Sequence, residues 1–183
     1  LKVGVPFTWG ALLTSPQRDY RESLAANAEG WERGAEVWPQ VTPRPLTFTF
    51  TLDSPYPLAV NASFSALQNA SVEERTRAYA DPAWRTEMKG NLGAAGGFGL
   101  RWDTYTFGPS ESHPELADRA LIDVAAERGV EPLDCLLDLA LDEPGLALRV
   151  RTVIANDDEA GVAGLLVDEH CTLGLSDAGA HAG

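Results

Sequence analysis

The stretch "LGLSDAGAHAG", Leu173–Gly183, decides how the chain is read. A short apolar run, Leu173-Gly174-Leu175, gives way to Ser176-Asp177. The small residues Ala178, Gly179 and Ala180 follow, and then His181. Such a run, bounded by polar and small residues, reads as a buried strand with an acid at its carboxyl end. In parallel α/β folds the reactive groups gather at the carboxyl ends of strands. At such a place Asp177 is a metal ligand, a general base, or a cap for the turn that follows.

Working back from this strand, the chain alternates strand and helix. "KVGVPF" (Lys2–Phe7) predicts a short buried strand bounded by Pro6. Ser15 as N-cap and Pro16 at the first helical position predict a helix, carried by Tyr20, Leu24, Ala28 and Trp31 and closed at Gly34. "AEVWPQ" predicts a second strand, ended by Pro39. Leu46, Phe48, Phe50 and Leu52 alternate with threonine, the period of a half-buried strand, and the flanking prolines make it an edge or an insertion.

Ser71 and Glu74 form a capping box, and Asp81-Pro82 restarts a helix through Trp84 and Met88. In "GNLGAAGGFG" the residues Gly93, Gly96 and Gly99 are spaced by three, so neither a dinucleotide fingerprint nor a phosphate-binding loop is met. "LRWDTYTF" predicts a third strand. Two helices follow. Leu121, Val124 and Ala125 mark the first, closed by Gly129. Pro132 opens the second, lined by Leu133, Leu136, Leu137 and Ala140 and stopped at Pro144-Gly145. "LALRVRTV" predicts a strand, and "NDDEAGVAGLLVDEH" a short helix capped by Asn156 or Asp157. The alternation predicts an α/β protein with parallel strands and right-handed crossovers, interrupted by an insertion at about 41–100.

The formal net charge of -13 disfavours nucleic acid and anionic membrane as partners, because phosphate binding rests on Lys and Arg. No apolar run is long enough for a transmembrane helix, and the first residues do not form a signal peptide, so the expected location is cytoplasmic. The absence of an initiator Met implies that Leu1 is not the natural start. Cys135 and Cys171 are expected as buried reduced thiols. The N-x-[ST] matches at Asn61 and Asn69 are read as chance, and the three histidines and two cysteines have no zinc-finger spacing.

"GLSDAGAH" resembles the eighth-strand signature of the amidohydrolase superfamily, in the branch of the N-acyl-D-amino-acid deacylases (D-aminoacylases). "GAEVWPQVTPRPL" is similar to the sixth strand and its loop. "SVEERTRAYADPAWR" looks like an inserted helical element of this branch, and "ERGVEPLDCLLDLAL" like the helical region before the seventh and eighth strands. The resemblance implies part of a (β/α)8 barrel, about strands five or six to eight. It implies a divalent metal, usually zinc, and hydrolysis of the amide of an N-acyl-D-amino acid or a similar acylated amine by metal-activated water. Asp177 would bind the metal and act as general base. From the residues themselves, the backbone N–H groups at Gly179 and its neighbours are candidates to reach an oxyanion or carboxylate. His181 reads as a contact to substrate or to a group that supports the site, and Arg44 as either a solvated loop residue or a guanidinium pairing with a substrate carboxylate.

The chain departs from that family in lacking a His-x-His pair; its histidines are His113, His170 and His181. Gln40 stands where a sixth-strand His is expected, and Lys2 resembles the Lys that follows the fifth-strand His. A complete barrel takes about 250 residues. The 183 residues are therefore expected to be a carboxyl-side fragment, inactive alone, that does not hold the metal tightly and self-associates through exposed strand edges. His170 reads as a loop residue and His113 as a helix-entry feature. Two other readings stand beside this one: a cyclic-amide hydrolase of the same superfamily, and a non-catalytic α/β interaction domain.

Overall fold

The computed structural model describes residues 4–16, 19–91 and 100–174. Lys2, Gly93, Gly96, Gly99, Asp177, Gly179 and His181 lie outside the described residues. Along the chain come β1 (Phe7–Gly10), α1 (Tyr20–Glu32), β2 (Val37–Val41), β3 (Leu46–Thr51), α2 (Ala62–Ala66), α3 (Val72–Ala80) and α4 (Pro82–Gly90). Then follow β4 (Thr106–Phe107), α5 (Leu121–Arg128), α6 (Pro132–Asp142), β5 (Arg149–Ala155), α7 (Glu159–Leu166) and β6 (Thr172–Leu173). The chain divides into two compact units. One is Leu1–Leu46 with Ala155–Gly183, the other Thr47–Ile154.

The first unit holds a three-stranded sheet in the order β1-β2-β6, with both pairings parallel. Its first strand begins where the expected one should end. Pro6 has no N–H to give a ladder, so pairing starts one residue later, with Phe7 N–H donating to Glu36 O at 2.9 Å. Pro39 lies inside β2 instead of ending it. Gln40 O accepts from Leu12 N–H, while Val41 O accepts from Gly174 N–H. Alternate residues of β2 therefore face opposite neighbours, and Pro39 faces the β6 side. Pairing with β6 begins only at Gln40↔Thr172, so no ladder bond is lost there.

Helix α1 also starts later than expected. Thr14 N–H donates to Asn156 Oδ1 and Thr14 O accepts from Asn156 N–H, both at 2.9 Å. These bonds keep the chain at Thr14–Ser15 from turning into a helix, and Asp19 caps instead, accepting from Arg21 N–H at 3.0 Å. Gly34, with φ of 81°, follows the helix end as its spacing predicts. The cap of α7 is Asp158, which accepts from Gly161 N–H at 3.0 Å, and not Asn156 or Asp157. Leu12, Val41 and Leu165 form the buried cluster of this unit, with Trp9, Tyr20, Leu24 and Cys171 packed on it.

In the second unit the strand order is β3-β5-β4, and β4 runs antiparallel to β5. This corrects the expectation of parallel strands throughout. The strand expected over "LRWDTYTF" shrinks to Thr106–Phe107, because Trp102–Thr104 forms a 3₁₀ turn. Thr104 Oγ1 there bonds Arg101 O at 2.9 Å and Val153 O at 3.0 Å. The alternating β3 lies at the sheet edge with Phe50 buried, as its period of two predicts. The capping box at Ser71 and Glu74 is formed, and Gly129 ends α5 in the left-handed conformation with φ of 68°.

The apolar face of α6 is fully buried at Leu133, Leu136, Leu137 and Ala140, together with Cys135 and Leu139. Around it pack Phe64, Tyr79, Phe107 and Val150 in one continuous core. Beyond α6, Glu143 is buried. Its carboxylate accepts from Ser110 Oγ at 2.8 Å, Glu111 N–H at 3.0 Å and Ser112 N–H at 3.2 Å. Burial pushes this carboxyl up, but the hydrogen bonds outweigh it and hold the group below the ordinary carboxylate range.

The neighbour relation of β2 and β6 corrects one expectation of the family resemblance. Strands six and eight of a barrel are separated by strand seven, yet here Gln40↔Thr172 and Val41↔Leu173 are direct partners. The residues between them fold as a separate unit with its own sheet, and so supply no intervening strand. Among the described residues the parallel strands form an open arc of three and no closed barrel.

Candidate functional site

The parallel register sorts the side chains of the first unit by face. Trp9 and Val41 turn toward the cluster with Leu12 and Leu165. Thr8 is registered with Trp38, and Gln40 with Thr172, so these four share the opposite face. That face carries an open cleft of about 450 Å³, lined by Thr8, Trp38, Gln40, Thr172 and Gly174 among others.

Within the cleft the polar groups are ordered. Thr8 Oγ1 donates to Trp38 O at 2.8 Å, and Gln40 Nε2 donates to Thr8 Oγ1 at 3.2 Å. Gln40 lies across Gly174 so closely that a Cβ on Gly174 would meet its Oε1 at 2.8 Å and its Cδ at 3.0 Å. A Cβ there would have to displace the Gln40 side chain; the backbone of Gly174 is not unusual.

Asn156, just past β5, binds the segments that follow β1 and β2. It is buried, with a left-handed φ of 62°. Besides its two bonds to Thr14, its Nδ2 donates to Thr42 O at 3.2 Å and to Arg44 O at 3.4 Å. One carboxamide thus ties together segments 112 and 142 residues away along the chain. Helix capping is the reading its sequence context supports, and nothing local signals the long-range role.

The sequence-predicted site residues fare differently. Asp177, Gly179 and His181 lie outside the described residues, the first of them three positions past Gly174. The Arg44 side chain is exposed in the loop after β2. His170 sits in a loop, as its position predicts, stacked on Trp31 with ring centroids 4.6 Å apart. His113 lies between Glu115 and Asp142 in the second unit.

Cys135 is buried and free, as expected. Cys171 is free but only half-buried. Burial, with help from Asp168, pushes its thiol up to about 11, so it is protonated at neutral pH. Among the described residues no three His, Cys, Asp or Glu side chains come together as a metal's donor set. The described residues therefore do not fit the metal that the resemblance implies. A second cleft, lined by Asp19, Asp157 and Asp158, contains two of the helix caps already described.

No family model matches the chain. Uncharacterised proteins of Mycobacterium tuberculosis and Mycobacterium bovis are 28% identical over 114 residues, an alignment that takes in 55% of this chain and 19% of theirs. The chain thus spans about a fifth of the length of the curated relatives it matches. Among solved structures it is similar to an N-acyl-D-glutamate deacylase from Bordetella bronchiseptica, complexed with zinc and a phosphonate inhibitor. The TM-score is 0.43 and the identity 18%, over 93% of this chain and 26% of that one. No helix among the described residues is long and apolar enough to cross a membrane.

Proposed function

We propose that the chain is part of an amidohydrolase that cleaves the amide bond of N-acyl-D-amino acids or similar acylated amines. The observation that carries this reading is the sequence Ser176-Asp177-Ala178-Gly179-Ala180-His181, which begins three positions past the end of β6 at Leu173. It follows a parallel strand whose carboxyl end is held by Gly174 N–H on Val41 O. A singly wound arc, in which successive parallel strands are neighbours with helices between them, is the repeat from which (β/α)8 barrels are built. In this reading residues 47–154 interrupt that repeat between β2 and α7.

The part of the chemistry that this sequence carries is the movement of a proton. A carboxylate at Asp177 takes a proton from water as the oxygen bonds the acyl carbon. It returns that proton to the amine nitrogen as the C–N bond breaks, leaving a carboxylic acid and an amine. The residues after Asp177 in the sequence are small, which suits a site that must admit an acyl group. The divalent metal implied by the resemblance would activate the same water, but no donor set for it stands among the described residues.

The test is turnover of a panel of N-acetyl-D-amino acids by the intact protein and by Asp177→Ala, with circular dichroism as the check on folding. The wild type should release acetate, and the variant should be slower by about 100-fold or more. An unchanged rate in Asp177→Ala removes this residue from the mechanism. A wild type that hydrolyses none of the panel removes the reading.

A further inference from the structure

The Thr8–Gln40–Gly174 arrangement fixes which end of a carboxamide faces the cleft. The hydroxyl of Thr8 has one proton, and it is given to Trp38 O at 2.8 Å. Toward Gln40 this hydroxyl is only an acceptor, so the NH₂ end of the carboxamide must point at it, as the 3.2 Å contact from Nε2 records. Oε1 is thereby committed to the other end, against Gly174, where both residues line the cleft. An oxygen held this way accepts hydrogen bonds. Its matching ligand group is an N–H or O–H.

We propose that Gln40 is a specificity residue: its Oε1 accepts the amide N–H of a bound acylated amine, with Thr8 fixing the accepting orientation and Gly174 leaving the space. This rests on the deacylase reading and goes one step further, because it assigns recognition of the scissile nitrogen to β2 of this chain. An acylated amine lacking that N–H is then discriminated against by one hydrogen bond, about tenfold in affinity.

The experiment measures binding of N-acetyl-D-alanine and of N-acetyl-N-methyl-D-alanine to the intact protein by calorimetry, beside turnover of the first compound. The wild type should prefer the N–H compound by about tenfold. Gln40→Met keeps the length of the side chain but has no comparable acceptor, so the preference should fall to about one while any steric rejection of the methyl group remains. Gln40→Glu gives up the donation to Thr8, but either carboxylate oxygen is an acceptor beside Gly174, so it should retain the preference. Gly174→Ala pushes the carboxamide aside without touching Gln40 itself and should lose it, which keeps the test alive if Gln40→Met does not fold.

A wild-type ratio in both Gln40→Met and Gly174→Ala overturns the proposal while leaving the deacylase reading intact, provided that turnover persists. A wild type that hydrolyses no member of the N-acetyl-D-amino-acid panel overturns both.

Discussion

Residues 47–154 wrap α6 with a continuous apolar core in which Leu136, Leu137, Leu139 and Tyr79 are fully buried. The unit built on β1, β2 and β6 has a small cluster of Leu12, Val41 and Leu165 on one face of its sheet. On the other face lie Thr8, Gln40 and Thr172, around an open cleft. The second unit is held by packing, which is tolerant of detail and large in sum. The first is held in part by a few directional bonds, of which those of Asn156 reach furthest. The candidate chemistry belongs to the more sparsely packed unit, where polar groups stay available because they are not buried under a core.

The largest effect should come from the second unit. Leu136→Ala removes a fully buried side chain from α6 and should cost about 2–5 kcal/mol. Hydrogen exchange read peptide by peptide should show faster exchange across residues 47–154. Protection of those peptides at the wild-type level would break the contrast between the two units.

A smaller loss is expected in the first unit. Asn156→Ala leaves Thr14 N–H, Thr42 O and Arg44 O without their buried partner, and should cost about 1–3 kcal/mol. Exchange should rise in peptides around Thr14 and Thr42. If it does not, directional bonds are not what holds this unit.

The smallest effect should be a pH dependence in the second unit. The folded carboxyl of Glu143 lies below its ordinary range, so the stability it contributes is present at neutral pH. That contribution is lost as pH falls below the ordinary carboxylate range and through the depressed folded value. Glu143→Gln should flatten the acid limb of stability against pH in denaturant titrations. An unchanged acid limb would show that the bonds from Ser110, Glu111 and Ser112 contribute nothing.

Much of the second unit was legible in the sequence. The period-two threonines of β3, the capping box at Ser71, Pro132 at the head of α6 and Gly129 at the end of α5 are local signals whose chemistry acts within a few residues. The misreadings cluster where a distant partner intervenes. Ser15 looks like a cap, but Thr14 is engaged by Asn156. Pro39 looks like a strand end, but its missing N–H faces a stretch not yet paired with β6. "LRWDTYTF" looks like a strand, but Thr104 is turned by bonds to β5. Of the candidate site, the acid after the last strand is legible as a motif, while the Thr8–Gln40 relay is not. No short-range pattern reveals that residues 32 positions apart share a sheet face.

By itself the sequence determined the helices α3 to α6 and the edge strand β3, because periodicity, capping and turn chemistry are properties of neighbouring residues; the last strand, read as buried, instead leaves Leu173 exposed. Only the tertiary structure decided that β2 and β6 are direct neighbours, that residues 47–154 form a unit of their own, and that Gln40 lines a cleft with its NH₂ on Thr8 and its oxygen against Gly174. Strand order, register and the direction of a carboxamide depend on hydrogen bonds between residues far apart in the chain, and those partners exist only once it has folded.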